Sequence, residues 1–235
     1  MKNKRGAGHI EMIISFVIFI GFLIFLFSVL NPLKKPAETT IVDSVYNNLE
    51  NNLIVQLTTV SLKIKETPAE GCIKISNIKL INDLNCNKKV KVKNKEGNSV
   101  LGYIDDNGIV IGGAENFYTI SCSEDFEEAG TLSCNGGVTN YEIGIVTKRN
   151  LWSWKKIEEF KILYDNDLSG AKQKIGLSGN EFGFVVSNLE GGVVFDAYDK
   201  SKVPGGVDIN AKSYPIDILM TDSKIKKHVI NIIIW

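Results

Sequence analysis

Apolar residues are spaced along this chain in three ways: one unbroken run, one four-residue stripe, and many short alternating segments. The unbroken run comes first. From Met12 to Leu33 no residue is charged, and Met12–Leu30 is interrupted only by Ser15, Gly21 and Ser28. As a helix the run would cover about 33 Å, against a hydrocarbon core of about 30 Å. It is apolar all round, so it reads as a transmembrane helix rather than an amphipathic surface helix, and it is long for a buried core helix. Its exit, Asn31-Pro32-Leu33-Lys34-Lys35, lacks the small-x-small site of a cleaved secretory signal.

The stripe follows. Pro32 and Pro36 break the axis, and a second helix is expected from Ala37 to about Leu57. There Ile41, Val45, Leu49 and Leu53 share a face, and Asp43, Asn47, Glu50 and Asn51 lie mostly opposite. Alternation then predicts strands at Val60–Ile64, Ile73–Ile75 and Val90–Lys93. Val100–Ile104 and Ile109–Ile111 flank Asp105-Asp106-Asn107-Gly108, where Asn-Gly marks a hairpin. Phe117–Cys122 and Tyr141–Val146 read as further strands. A helix is expected from Leu151 to about Tyr164, with Trp154, Ile157, Phe160 and Leu163/Tyr164 on one face, and a short one over Leu168–Ile175. Strands return at Glu181–Val186, Val193–Tyr198, Val207–Ile209, Ile216–Met220 and His228–Trp235, with a turn at Pro204-Gly205-Gly206. The last run is apolar on both faces, which places it centrally in a sheet, with Trp235 capping the core. Lysines on the outer face of the alternating segments argue for an antiparallel sheet with one solvated side.

The expected fold is thus α+β: an N-terminal transmembrane helix continuing into an amphipathic helix packed on a mainly antiparallel β ectodomain. The expected segments are a basic leader (1–6), an anchor (7–33), a helix with a cysteine-bearing β subdomain (37–147), and a helix with a C-terminal β subdomain (148–235).

Charge narrows the partners. The whole chain is formally neutral, but residues 36–235 carry a net charge of about −4, with no basic surplus to hold a phosphate backbone. Nucleic acid is therefore not an expected partner. Arginine is confined to Arg5 and Arg149, while Lys, Asn and Ile are abundant, a pattern of AT-rich coding rather than of chemistry.

The residues before the apolar run are Lys4-Arg5-Gly6-Ala7-Gly8-His9-Ile10-Glu11. A basic leader ending in Gly, a Glu five residues beyond, and a long apolar stretch behind it resemble the processing site of type IV prepilins and their archaeal relatives. The segment Ile175-Gly176-Leu177-Ser178-Gly179-Asn180-Glu181-Phe182-Gly183-Phe184, with a final strand ending in Trp, is similar to the ends of archaeal membrane-anchored pilin-like proteins. The first resemblance implies cleavage between Gly6 and Ala7 by a prepilin-type peptidase. It also implies assembly with copies of this chain or other pilin-like subunits. Glu11 would meet the freed Ala7 amine of a neighbour, and Ile13, Phe16, Ile20 and Leu23 would supply packing. A carboxylate at the edge of a membrane helix needs such a partner; the other place for Glu11 is the headgroup region beside Lys4 and Arg5.

Four cysteines, Cys72, Cys86, Cys122 and Cys134, all lie beyond the apolar run. An even count in an ectodomain suggests two disulfides. Three pairings exist, and the short spacings favour Cys72–Cys86 with Cys122–Cys134. The gaps do not suit a zinc site, which would need C-x-x-C pairs. No catalytic residues are expected: the two histidines stand apart, with His9 interfacial and His228 read as a strand-edge residue, and no nucleophile elbow, zincin or Walker motif occurs. Asp165-Asn166-Asp167-Leu168-Ser169-Gly170 matches half a calcium loop, but Gly176 stands where the bidentate Glu belongs; a helix end with a new cap at Asp167 or Ser169 is the plainer reading. No cofactor and no metal are expected. The expected place is the cell membrane, single-pass, N-terminus cytoplasmic and C-terminal domain outside, with the lipid bilayer as a partner. The expected role is a pilin-like surface protein, structural or adhesive. The alternative is an uncleaved bitopic protein with a ligand- or partner-binding ectodomain.

Overall fold

The computed structural model describes residues 7–29, 37–66, 71–76, 89–105, 108–128, 130, 132–135, 137–198 and 200–235. Gly6, Cys86, the prolines at 32 and 36 and the tip of the Asp105–Gly108 turn lie outside them. The chain divides into two units, 1–40 and 41–235.

The first unit holds α1 (Ala7–Val29). The expectation of a transmembrane helix is corrected here: among the described residues no helix is long and apolar enough to cross a membrane. The expected span relied on residues 30–33, which lie outside the described residues. Within α1 the uncharged run is Met12–Val29, about 27 Å of helix against a core of about 30 Å. Single-pass anchoring and the membrane localisation drawn from it are corrected with it.

The second unit is α+β. Helix α2 (Ala37–Leu53) enters it at Ile41. Val42, Val45, Leu49 and Leu53 recur at three- and four-residue spacing and are buried. The helix stops four residues earlier than the stripe suggests. Ile54-Val55-Gln56-Leu57-Thr58-Thr59-Val60 is dense in β-branched residues, which favour a pleated surface over a helix, and the chain runs directly into β1 (Ile54–Ile64).

The other strands are β2 (Cys72–Ile75), β3 (Val90–Asn94), β4 (Ser99–Val100), β5 (Gly102–Asp105), β6 (Gly108–Gly112), β7 (Phe117–Cys122), β8 (Tyr141–Ile143), β9 (Thr147–Ser153), β10 (Phe182–Asn188), β11 (Val193–Ala197), β12 (Asn210–Leu219) and β13 (Ile225–Ile234). The large sheet has the order β11-β10-β13-β12-β9-β1-β7-β3-β4, with β8 added on β1. It is a mixed sheet, in which β9 and β12 run parallel and pair only at Ile218↔Trp152 and Leu219↔Ser153. A second sheet has the order β2-β6-β5. The run Val100–Ile104, expected as one strand, is divided at Leu101 between the two sheets. β5 and β6 form the expected hairpin, paired down to Asp105↔Gly108.

Three clusters of buried residues lie on these sheets. One joins α2 to Ile157, Phe160 and Tyr164 of α3 (Trp154–Asn166) and to Phe182, Phe184, Ile216, Ile218, Ile230, Ile232 and Ile234 of the large sheet. A second unites Val60, Leu62, Ile64, Val90, Val92 and Ile120 with Ile73, Ile75, Ile109 and Ile111 of the small sheet. The third gathers Val55, Leu57, Phe126, Leu151 and Leu219. Each buried Ile, Leu or Val contributes about 1.5–3 kcal/mol before chain entropy is subtracted.

Helix α3 begins three residues later than expected, because Leu151–Ser153 belong to β9. The Oγ of Ser153 accepts from the N–H of Lys156 at 2.9 Å and caps the helix. Asp167 closes α3 through its N–H to the carbonyl of Leu163 (2.7 Å) and caps α4 (Leu168–Lys174) by accepting from the N–H of Gly170 at 2.9 Å. The Asp165–Gly170 segment is therefore a double helix cap. The boundary expected near 147–150 falls inside β9, which pairs with β1 on one side and β12 on the other. β13 is an interior strand between β10 and β12, so His228 is not at a sheet edge; it pairs with Asn188 and Ile216.

Candidate functional site

Two surfaces carry chemistry, one in each unit. In α1 the described side chains of residues 11–27 are exposed on every side, save for half-buried Leu23 and Leu26. Ile13, Phe16 and Ile20 are exposed, as is Glu11. α1 opens at Ala7, the residue that the expected cleavage makes N-terminal.

In the second unit the ends of β9, β10, β12 and β13 meet α2 and the start of α3. A cavity of about 340 Å³ lies where β9 and β12 part below their two paired residues. Tyr46, Glu50, Trp152, Ile216, Asp217 and His228 line it. Tyr46 stacks on Tyr214 with ring centroids 4.0 Å apart, and Arg149 reaches Asp217 across the gap at 3.0 Å. Asp43 accepts from the Lys212 ammonium at 2.6 Å and from the Tyr214 hydroxyl. The Lys212 bond, with help from Tyr214, holds the Asp43 carboxyl below its ordinary range. Burial, then the Asp43 bond and charge, push the Tyr214 phenol well above its own.

A neighbouring cavity of about 530 Å³ is lined by Trp154, Leu189, Val194, Met220, Lys226 and Lys227 among others. Leu189, Lys227 and His228 border both cavities. His228 is buried, and its Nδ1 faces the carbonyl of Lys226 at 3.3 Å. The Trp154 ring rests on Phe195 (4.5 Å between centroids) and its N–H donates to Glu158. The β10–β11 turn sets the outer wall. The Asn188 carbonyl oxygen of the side chain accepts from the N–H groups of Glu190 and Gly192, Gly191 takes φ +86°, and Leu189 is left pointing out, 68% exposed. One signal of this wall lies in the chain itself: an apolar residue inside a polar turn, Asn188-Leu189-Glu190-Gly191-Gly192.

The disulfide expectation needs correction. Cys72 bonds Cys134, not Cys86, across 62 residues of sequence. Cys122 is also disulfide-bonded. Short sequence spacing is no guide because β7 ends at Cys122, and the segment after it runs to the small sheet, where the Val138 N–H bonds the carbonyl of Lys74 at 2.9 Å.

No protein-family profile matches the chain, and comparison with curated proteins and with solved structures finds no match.

Proposed function

We propose that this protein is a pilin-like structural subunit that associates with copies of itself through α1. The observation that supports this is the exposure of most described α1 side chains, apolar from Met12 to Phe27 apart from Ser15 and Gly21, around the helix. An apolar surface of that extent needs a cover in water, and a bundle of like helices supplies one. The prepilin-like residues Gly6, Ala7 and Glu11 fit the same reading. After cleavage the Ala7 amine of one copy would meet the Glu11 carboxylate of the next, while Ile13, Phe16, Ile20 and Leu23 pack between helices. The sheet unit is then the body that each copy presents.

Sedimentation of the full chain in detergent-free buffer, alone and with lipid vesicles, tests this. Oligomers that a Phe16→Asp/Ile20→Asp variant fails to form are expected. A full chain that stays monomeric, or that floats with vesicles instead of associating, would sink the proposal.

A further inference from the structure

Sheet edges differ in how well they are guarded. A strand edge offers a row of unpaired N–H and C=O groups, and proteins blunt such edges with short strands, lysine, proline or a covering segment. At one end of the large sheet β4 is only two residues long. The β2 edge of the small sheet is covered by the 137–138 segment. β11 ends the large sheet on its other side, and among the described residues no strand pairs with its outer edge. Its sequence, Val-Val-Phe-Asp-Ala, has neither lysine nor proline. Val193 is 61% exposed beside the outward Leu189.

The larger cavity lies at the start of this strand, on the side toward the ends of β10, β13 and β12. Val194 forms one wall, and Trp154, held on Phe195 of the same strand, forms another. Its lining joins apolar Trp154, Leu189, Val194 and Met220 to polar Asn188 and His228, and the exposed Lys226 and Lys227 border it. Among the described residues neither ammonium belongs to an ion pair. Glu190 also lines the cavity.

We infer that the β11 edge and this cavity form a docking site for an extended segment of a partner polypeptide that carries an apolar residue next to acidic ones. An open strand edge is matched by another extended main chain, whose bonds give affinity, while a side-chain pocket beside the edge gives selectivity. Here the pocket takes an apolar side chain, and the two free ammonium groups face the acidic neighbours. The site does not depend on association through α1.

The experiment uses the full chain and an array of seven-residue peptides with alternating Val and Thr, one central Phe, and flanking Asp or Lys. Binding is read by fluorescence anisotropy, and the site by amide hydrogen exchange. The Asp peptide is expected to bind and to slow exchange at 193–197, and insertion of Pro beside the Phe is expected to abolish both. Lys226→Glu/Lys227→Glu, with an unchanged unfolding midpoint as its control, is expected to weaken the Asp peptide about fivefold and to favour the Lys peptide. Binding of no peptide, or protection elsewhere than 193–197, overturns the inference. So does protection of 193–197 that rises with protein concentration alone, because that would mark a second copy as the occupant.

Discussion

Single side chains decide more here than their exposure suggests. Asp43 ties α2 to β12 through Lys212 and Tyr214. Because the folded carboxyl is held below its unfolded value, the tie is fully present above the ordinary Asp pKa of about 3.9 and is lost as pH falls through the lower folded value. In urea unfolding, Asp43→Asn is therefore expected to be less stable than wild type by a constant margin at neutral pH. That margin should shrink once the pH drops below about 4; a margin independent of pH down to acid unfolding would show that the charge is not what Asp43 supplies. Gly108 is a case of space rather than charge. A Cβ there would overlap the carbonyl of Ile75 on the neighbouring strand. Main chain cannot turn aside as a flexible side chain can, so Gly108→Ala should cost about 1–3 kcal/mol in the same measurement. Gly21, which has nothing within reach of an added Cβ, is the control expected to leave the sheet unit unchanged.

Among the elements, the ends were harder to read than the bodies. Ser153 is buried, and it both finishes β9 and caps α3. Ser153→Ala leaves the Lys156 N–H without its acceptor, which should cost about 1–2 kcal/mol and quicken amide exchange in the first turn of α3 ahead of the rest of the helix. That double duty hides β9 behind the helix signal. Leu151 and Trp154 fall on a helical period with Ile157 and Phe160, yet Leu151 and its neighbour Trp152 pair with Val55 and Ile54 in the sheet. Likewise Leu57 continues the stripe of α2 in sequence but faces Arg149 in a ladder, since β-branched neighbours and a waiting strand outweigh local periodicity. Segments with one strong pattern, β7 and the hairpin of β5 and β6, were legible because alternation and turn residues agree there. Leu101, where one apolar run serves two sheets, carries no local mark of the division. The wall of the peptide site was legible only in Leu189; its depth comes from Trp154, Met220 and Val194, brought together by tertiary packing.

At the scale of the whole molecule, two units in one chain mean two separable properties. The sheet unit begins at Ile41, and its clusters are built from described residues of that unit, from Val42 onward. A chain begun at Ala37 should therefore keep the unfolding midpoint of the full protein while losing self-association. Loss of the midpoint would mean that α1 contributes to folding and is not a free association element. The disulfide belongs to the sheet unit alone. Cys72–Cys134 closes 62 residues, a loop worth about 4 kcal/mol on chain-entropy grounds. Cys72→Ala/Cys134→Ala should lower stability by roughly that amount in both the full and the shortened chain. An equal loss in the two chains is the informative outcome. It would show that the clamp stabilises the presented body directly, whereas a loss confined to the shortened chain would mean that association through α1 holds the small sheet in place once the clamp is gone.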